Sequence, residues 1–208
     1  MQIIEFLSSI SWQEYLAVLF SMFQVVLAKN NKSINYLFGI AGVLLTLIVM
    51  FESGLYAEFV LNIYYLVMSI YGWFYWLSKK GNANHKEIKI SKNSKLDWIK
   101  TVAIIVASFI IFALVLTHYT DSKVPLWDAL VSAFAWAGMW LLAKRKLSNW
   151  WILNVSNFIA IPLMIYKELY LFAALDVFLF VVAIYGYRNW LRIIKDETPK
   201  PIRFSETL

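Results

Sequence analysis

The sequence predicts an all-α integral membrane protein of seven transmembrane helices, built as two parallel three-helix repeats joined by a linking helix, a 3+1+3 plan. Three observations carry that prediction. The 208 residues are 61% hydrophobic and only 15% charged, with a mean hydropathy of +0.64. Soluble domains run at about 45–50% apolar and about 25% charged. Lys and Arg are confined to alternate loops, and the two halves of the chain match each other weakly at an offset of 114–115 residues. The same composition excludes disorder and a collagen-like fibre, because only 7 Gly and 4 Pro are present. There is no Cys, so no disulfide framework, thiolate metal site or cysteine nucleophile can form.

A spanning helix needs about 20 mostly apolar residues. By that measure the spans fall at about 12–28, 34–51, 55–77, 98–117, 124–143, 149–166 and 169–191. Most linkers are short, so successive helices run antiparallel. The exception is Ser78–Leu96, SKKGNANHKEIKISKNSKL, with six Lys and little that could pack. The first eleven residues, MQIIEFLSSIS, hold no Lys or Arg to begin a cleaved signal peptide, and none is expected. The chain thus divides into a first repeat (1–77), a basic loop with the linking helix (78–123), a second repeat (124–193) and a tail (194–208).

Direction follows from the basic residues. Lys29, Lys32, the seven lysines from Lys79 to Lys100, Lys144, Arg145, Lys146 and five in the C-terminal region put 17 on one side. Lys123 and Lys167 are the 2 on the other. The segregation requires an odd number of spans, with the N-terminus outside and the C-terminus in the cytoplasm. The net charge of +6 is therefore a topology signal. No nucleic-acid partner is expected, because no aromatic residues interleave the Lys-rich linker.

The internal match is ordered. Leu27-Ala28-Lys29 with Ser33 matches Leu142-Ala143-Lys144 with Ser148, and Leu55-Tyr56 matches Leu169-Tyr170. Leu61 matches Leu175, Asn62 falls opposite Asp176, Ile70-Tyr71-Gly72 matches Ile184-Tyr185-Gly186, and Trp76 matches Trp190. One single-residue gap is needed. Three helices followed by a linking span return the second unit to the membrane in the direction of the first, so the repeats are parallel. In such folds a substrate site lies near the midplane where the repeats meet.

Polar and aromatic residues form stripes. Asn62, Tyr65, Ser69, Trp73 and Trp76 occupy about an 80° sector of the third span, by 100° per residue. Trp150, Asn154 and Asn157 share a face of the sixth, and Asp128, Ser132, Trp136 and Trp140 form a looser stripe in the fifth. Lipid offers an amide no partner, so these side chains should face protein or a polar cavity. The bland reading is interhelical glue, worth on average about 0.6 kcal/mol per hydrogen bond. Aromatic walls with a few placed amides suit a flat, hydrogen-bonding solute instead. Trp12, Trp98, Trp127 and Trp190, near span ends, are expected to be interfacial anchors. Asp176 is the one acidic residue well inside a span, open to three roles: binding a cationic substrate, holding a proton or capping a helix contact.

No enzyme is expected. His85 and His118 fall in loops, away from any metal-binding pairing, and neither a phosphate loop nor a Gly-x-Ser-x-Gly elbow is present. No cofactor and no metal are predicted, and no relay of intramembrane carboxylates suggests ion coupling. The candidate substrate-binding residues are Asn62, Tyr65, Ser69, Trp73, Trp136, Trp140, Trp150, Asn154, Asn157, Asp176 and Tyr185.

NIYYLVMSIYGWFYW (Asn62–Trp76) and NWWILNVSNFIAIPLMIYK (Asn149–Lys167) resemble segments of the PnuC-type vitamin-precursor transporters of bacteria. That resemblance implies the 3+1+3 plan for the whole chain and a multi-pass place in the inner membrane among lipid. It implies uptake of nicotinamide riboside by facilitated diffusion with alternating access, trapping by a cytoplasmic kinase and assembly as a homotrimer. Thiamine, riboflavin or a nucleoside is the alternative cargo within the family, and a SWEET-type sugar carrier is the alternative outside it. The sixth-span signature of the nicotinamide riboside carriers is similar to Trp-x-x-Trp-x-x-x-Asn. Trp150 and Asn157 match it, Leu153 stands in place of the second Trp, and Asn154 is an added amide. In this likeness Trp150, Trp73 and Trp140 stack on the ring, while Asn62, Asn154 and Asn157 pair with its polar groups.

Overall fold

The structure is a computed structural model describing residues 11–52, 56–77 and 89–197. The expectations for the N-terminal segment 1–10, most of the basic linker (78–88) and the tail beyond 197 lie outside the described residues. Within them run seven α-helices: α1 (Trp12–Lys29), α2 (Asn35–Glu52), α3 (Tyr56–Leu77), α4 (Lys95–Tyr119), α5 (Pro125–Ala143), α6 (Asn149–Tyr166) and α7 (Tyr170–Glu197). Their lengths, 18 to 28 residues, correspond to about 27–42 Å at about 1.5 Å per residue. α4, α5 and α7 are each long and apolar enough to cross a bilayer. Ile99, Val102, Val106, Ile110 and Leu114 stud the outer face of α4, where lipid would cover them.

Local chemistry sets the ends. Ser11 caps α1 in a reciprocal box with Glu14, the Ser11 N–H donating to Glu14 Oε2 at 2.9 Å and the Glu14 N–H to Ser11 Oγ at 3.3 Å. Ser94 and Asp97 repeat the device on α4. This starts α4 at Lys95, a few residues before the predicted 98, and its last turn takes in His118, which had been expected in a loop. Pro125 opens α5, where its missing N–H costs nothing.

The helices meet in a two-fold pattern. Successive helices pack within each repeat, and across the repeats α1 packs on α7 and α3 on α5. Exchanging α1–α3 for α5–α7 reproduces those contacts, as parallel repeats require. α4 lies outside this scheme, packed chiefly on α5. The fully buried Ala129, Ala133 and Ala137 admit it closely.

Detail follows the same symmetry. Asn31 and Arg145 both turn left-handed, at φ 55° and 52°. Asn35 Nδ2 donates to the Lys32 carbonyl and Asn149 Nδ2 to that of Lys146, each at 2.7 Å. These pairs stand 114 apart, so the loops align without the gap that the Leu-Ala-Lys tripeptides had required.

At the basic end the repeats meet in an aromatic plug. Trp76 packs edge-on to Tyr36 at 5.2 Å and 87°, Trp190 edge-on to Trp150 at 5.4 Å and 86°, and Trp76 and Trp190 lie 6.0 Å apart. The Trp76 indole N–H donates across the interface to the Ala143 carbonyl at 3.2 Å, and that of Trp190 to Ala28 at 3.0 Å. Gly72 and Gly186 make room: an added Cβ would stand 2.5 Å from the Tyr36 ring and 2.7 Å from the Trp150 ring. The Arg145 guanidinium sits 4.2 Å above Trp76.

Three expectations are corrected here. Trp190 is fully buried in the plug, whereas Trp12, Trp98 and Trp127 are exposed as anchors would be. Nearness to a span end does not fix which way a ring points, and α7 turns this one inward. The end of the linker also packs: Ile90 is buried in the plug's core. Ser91 pairs with the α5–α6 loop, its N–H donating to Arg145 O at 3.1 Å and its carbonyl accepting from Leu147 N at 2.9 Å. α7 runs on to Glu197, past the predicted 191, because Leu191, Ile193 and Ile194 pack against the same core.

Candidate substrate cavity

A cavity of about 980 Å³ opens at the face opposite the basic loops. α3 contributes Asn62 and Tyr65 to its lining, α4 Phe112 and Leu116, and α5 Ser132 and Trp136. The α4–α5 and α6–α7 loops form its mouth. There Lys167 Nζ donates to both carboxylate oxygens of Asp128, at 2.5 and 2.7 Å, and Ser122 Oγ donates to Oδ2 at 2.6 Å. This tie holds the start of α5 to the end of α6. Small-molecule sites typically measure about 300–1,000 Å³, so the space suits a nucleoside-sized solute.

Of the residues predicted from the sequence, Asn62, Tyr65 and Trp136 line this cavity together. Asn62 Nδ2 contacts Met50 Sδ at 3.4 Å. Trp136 is held on two sides, with Tyr64 stacked at 3.8 Å and 17° and Phe112 edge-on at 4.5 Å and 84°. The Tyr64 hydroxyl also donates to the Trp136 carbonyl at 3.0 Å. Sequence reasoning missed Tyr64, which stands one residue off the Asn62–Tyr65–Ser69 stripe and so failed the periodicity that selected its neighbours.

A second group lies deeper, towards the basic end. Ser69, Trp150 and Asn154 are buried. Ser69 Oγ, Trp150 Nε1 and Asn154 Oδ1 have no hydrogen-bond partner among the described residues. Buried polar atoms are nearly always paired, so this concentration marks a region built for another partner or another conformation. Trp150, expected to stack on a solute, is here packed over Gly186 and against Trp190. Trp73, Trp140, Asn157 and Asp176 are half-buried and are not among the residues lining the cavity. Tyr185 is 56% exposed on the outer face of α7 and is not brought to the site. Leu153, the departure from the sixth-span signature, packs against α5, its Cδ2 standing 2.5 Å from where a Cβ on Gly138 would be.

Cavity and plug lie towards opposite ends of the bundle. On α3 the inward stripe runs from Asn62 to Trp76, and on α7 from Asp176 to Trp190, 14 residues in each case, or about 21 Å of helix. Asn62, at the start of the α3 stripe, lines the cavity, and the two Trp at the stripes' other ends are buried at the basic end. The arrangement offers a flat solute aromatic surface and an amide.

A family model described as "Nicotinamide mononucleotide transporter" matches residues 11–192. A curated relative, the "Nicotinamide riboside transporter PnuC" of Escherichia coli (strain K12), is 23% identical over 211 residues, covering 90% of this chain and 88% of the relative. The protein of the same name from Neisseria mucosa is 26% identical over 204 residues, covering 89% of this chain and 74% of its own. A solved structure, "Crystal structure of the Vitamin B3 transporter PnuC", shares the fold with a TM-score of 0.73 at 24% identity, covering 95% of this chain and 88% of that one. The seven-helix bundle with its duplicated halves and the match over nearly the whole chain lead to one conclusion: this chain belongs to the nicotinamide mononucleotide transporter family.

Proposed function

We propose that this chain is an uptake carrier of the bacterial inner membrane for nicotinamide riboside or a similarly flat vitamin precursor. The observation that carries the reading is the cavity where two parallel repeats meet, open on one face and backed by the aromatic plug at the other. The names of the relatives support the cargo. Solute enters against Asn62, Tyr65 and Trp136. The repeats then rock, the plug parts, and Ser69, Trp73, Trp140, Trp150, Asn154 and Asn157 take over the contacts on the way to the cytoplasm. Transport is facilitated diffusion, made effectively one-way by a cytoplasmic kinase that phosphorylates the solute, and the carrier works as a homotrimer. The N-terminus lies outside and the C-terminus in the cytoplasm, as the segregation of basic residues supports.

Thiamine is the second reading, favoured by Leu153. That position carries no ring and is turned against Gly138, while the added amide of Asn154 has an unused oxygen. A thermal-shift panel on purified protein with nicotinamide riboside, thiamine, riboflavin, nucleosides and glucose tests both. A hundredfold excess over Kd should stabilise the folded state by about 2.7 kcal/mol. Stabilisation by nicotinamide riboside is expected. A shift with thiamine alone favours the second reading, and a shift with glucose alone refutes both.

A further inference from the structure

Asp176 lies within the apolar run of α7, and the proposed transport cycle leaves it without a task. On α7 it belongs to the inward stripe: Ala173, Asp176, Ala183, Gly186 and Trp190 fall within about 140° at 100° per residue, and all but Asp176 are buried. It occupies the position that Asn62 holds on α3, and Asn62 lines the cavity. Asp176 stands within electrostatic reach of Tyr65 on α3, which also lines the cavity. Its carboxylate forms no hydrogen bond or ion pair among the described residues, and the residue is only partly buried. Lys167, a cation at the mouth, is already tied to Asp128.

An uncompensated carboxylate inside a bilayer is costly, and such groups are retained where a cation visits them. We propose that Asp176 is the charge-selecting residue of this carrier, its carboxylate facing the positive ring nitrogen of a solute held against Tyr65 and favouring aromatic quaternary cations over their neutral isosteres. The inference deepens the reading given above and rests on it. It also narrows the cargo, because nicotinamide riboside and thiamine carry such a nitrogen, whereas riboflavin, nucleosides and sugars do not.

Two matched pairs test it: nicotinamide riboside against its neutral 1,4-dihydro form, and thiamine against neutral 3-deazathiamine. Binding is measured by calorimetry on the purified full-length chain. The unmodified protein should bind the cationic member of at least one pair about tenfold or more tightly, a difference of about 1.4 kcal/mol or more. Asp176→Asn should remove that preference and leave the neutral member's affinity unchanged, and Asp176→Glu should keep it. Asn stands at the equivalent position 62, so the fold should accept the change, which an unaltered melting temperature without solute would verify. Equal weakening of both members by Asp176→Asn would overturn the proposal, as would a protein with no cation preference in either pair. If neither nicotinamide form binds but Asp176→Asn abolishes a preference for thiamine, the nicotinamide riboside reading fails while the role of Asp176 stands.

Discussion

Trp190→Phe should loosen the plug without dismantling it. Trp190 is fully buried, and its indole N–H spans the repeat interface to reach Ala28 O at 3.0 Å. Phe keeps an aromatic ring against Trp150 and Trp76 but loses that donor. The Ala28 carbonyl still accepts from Asn31 N at 2.9 Å, so no acceptor is orphaned; the hydrogen bond's share of the loss is about 1 kcal/mol, to which the void left by the smaller ring adds. The bond ties α7 to α1 and breaks when the repeats part at this end, so its loss should raise the plug-open population about fivefold. The chain has no Cys, which makes a single Ser69→Cys a clean reporter: position 69 is fully buried here. In vesicles with the basic face outward, an impermeant thiol reagent should label Ser69→Cys about five times faster with Trp190→Phe present, because labelling follows the open population when opening is fast. Phe112→Leu, at the α4–α5 contact, lowers stability away from the plug and should leave the rate alone. An unchanged rate with Trp190→Phe, or equal acceleration by Phe112→Leu, would refute the gate.

Gly186→Ala should destabilise by about 1–3 kcal/mol, read as a lower melting temperature, because its Cβ would stand 2.7 Å from the Trp150 ring; an unchanged melting temperature would mean that the contact is looser than described. Leu153→Trp, which restores the second Trp of the sixth-span signature, should cost a similar amount by overfilling the contact with Gly138; a stable variant with raised affinity for nicotinamide riboside would show that position 153 reaches the solute after all. Asp128→Asn should lower the melting temperature more at low salt than at high salt, because it removes the charge that binds Lys167 at 2.5 Å; a salt-independent loss would assign the contact to hydrogen bonding alone.

The spans and the duplication were legible because hydropathy and spacing survive divergence. Facing direction was legible only where a full stripe recorded it. Asn62, Tyr65 and Ser69 share a sector and turn inward together, and they are described so. The matched tripeptides Ile70-Tyr71-Gly72 and Ile184-Tyr185-Gly186 looked equally informative, yet only their glycines face the interior. The match therefore records packing, and it does not bring Tyr185 to the site. Tyr36 is in sequence an ordinary aromatic at the start of a helix; its importance lies in Gly72 and Trp76, which are distant in sequence. Ile90 looked isolated in a polar linker, and only the α5–α6 loop beside it explains its burial.

The two-fold relation between the repeats is broken on one side only. α4 leans on the alanine face of α5, and the Ile90–Ser91 segment is sewn to the α5–α6 loop, so both additions belong to the second repeat. Among the described residues the first repeat carries no such load. In mechanical terms the molecule is a light arm, α1–α3, hinged on a heavier chassis, α4–α7. Equal and opposite rotation about the dyad would require the chassis to drag its extra helix through lipid. Viscous drag instead assigns most of the excursion to the arm, so probes on α1 and α2 would report larger movements than probes at the equivalent sites on α5 and α6.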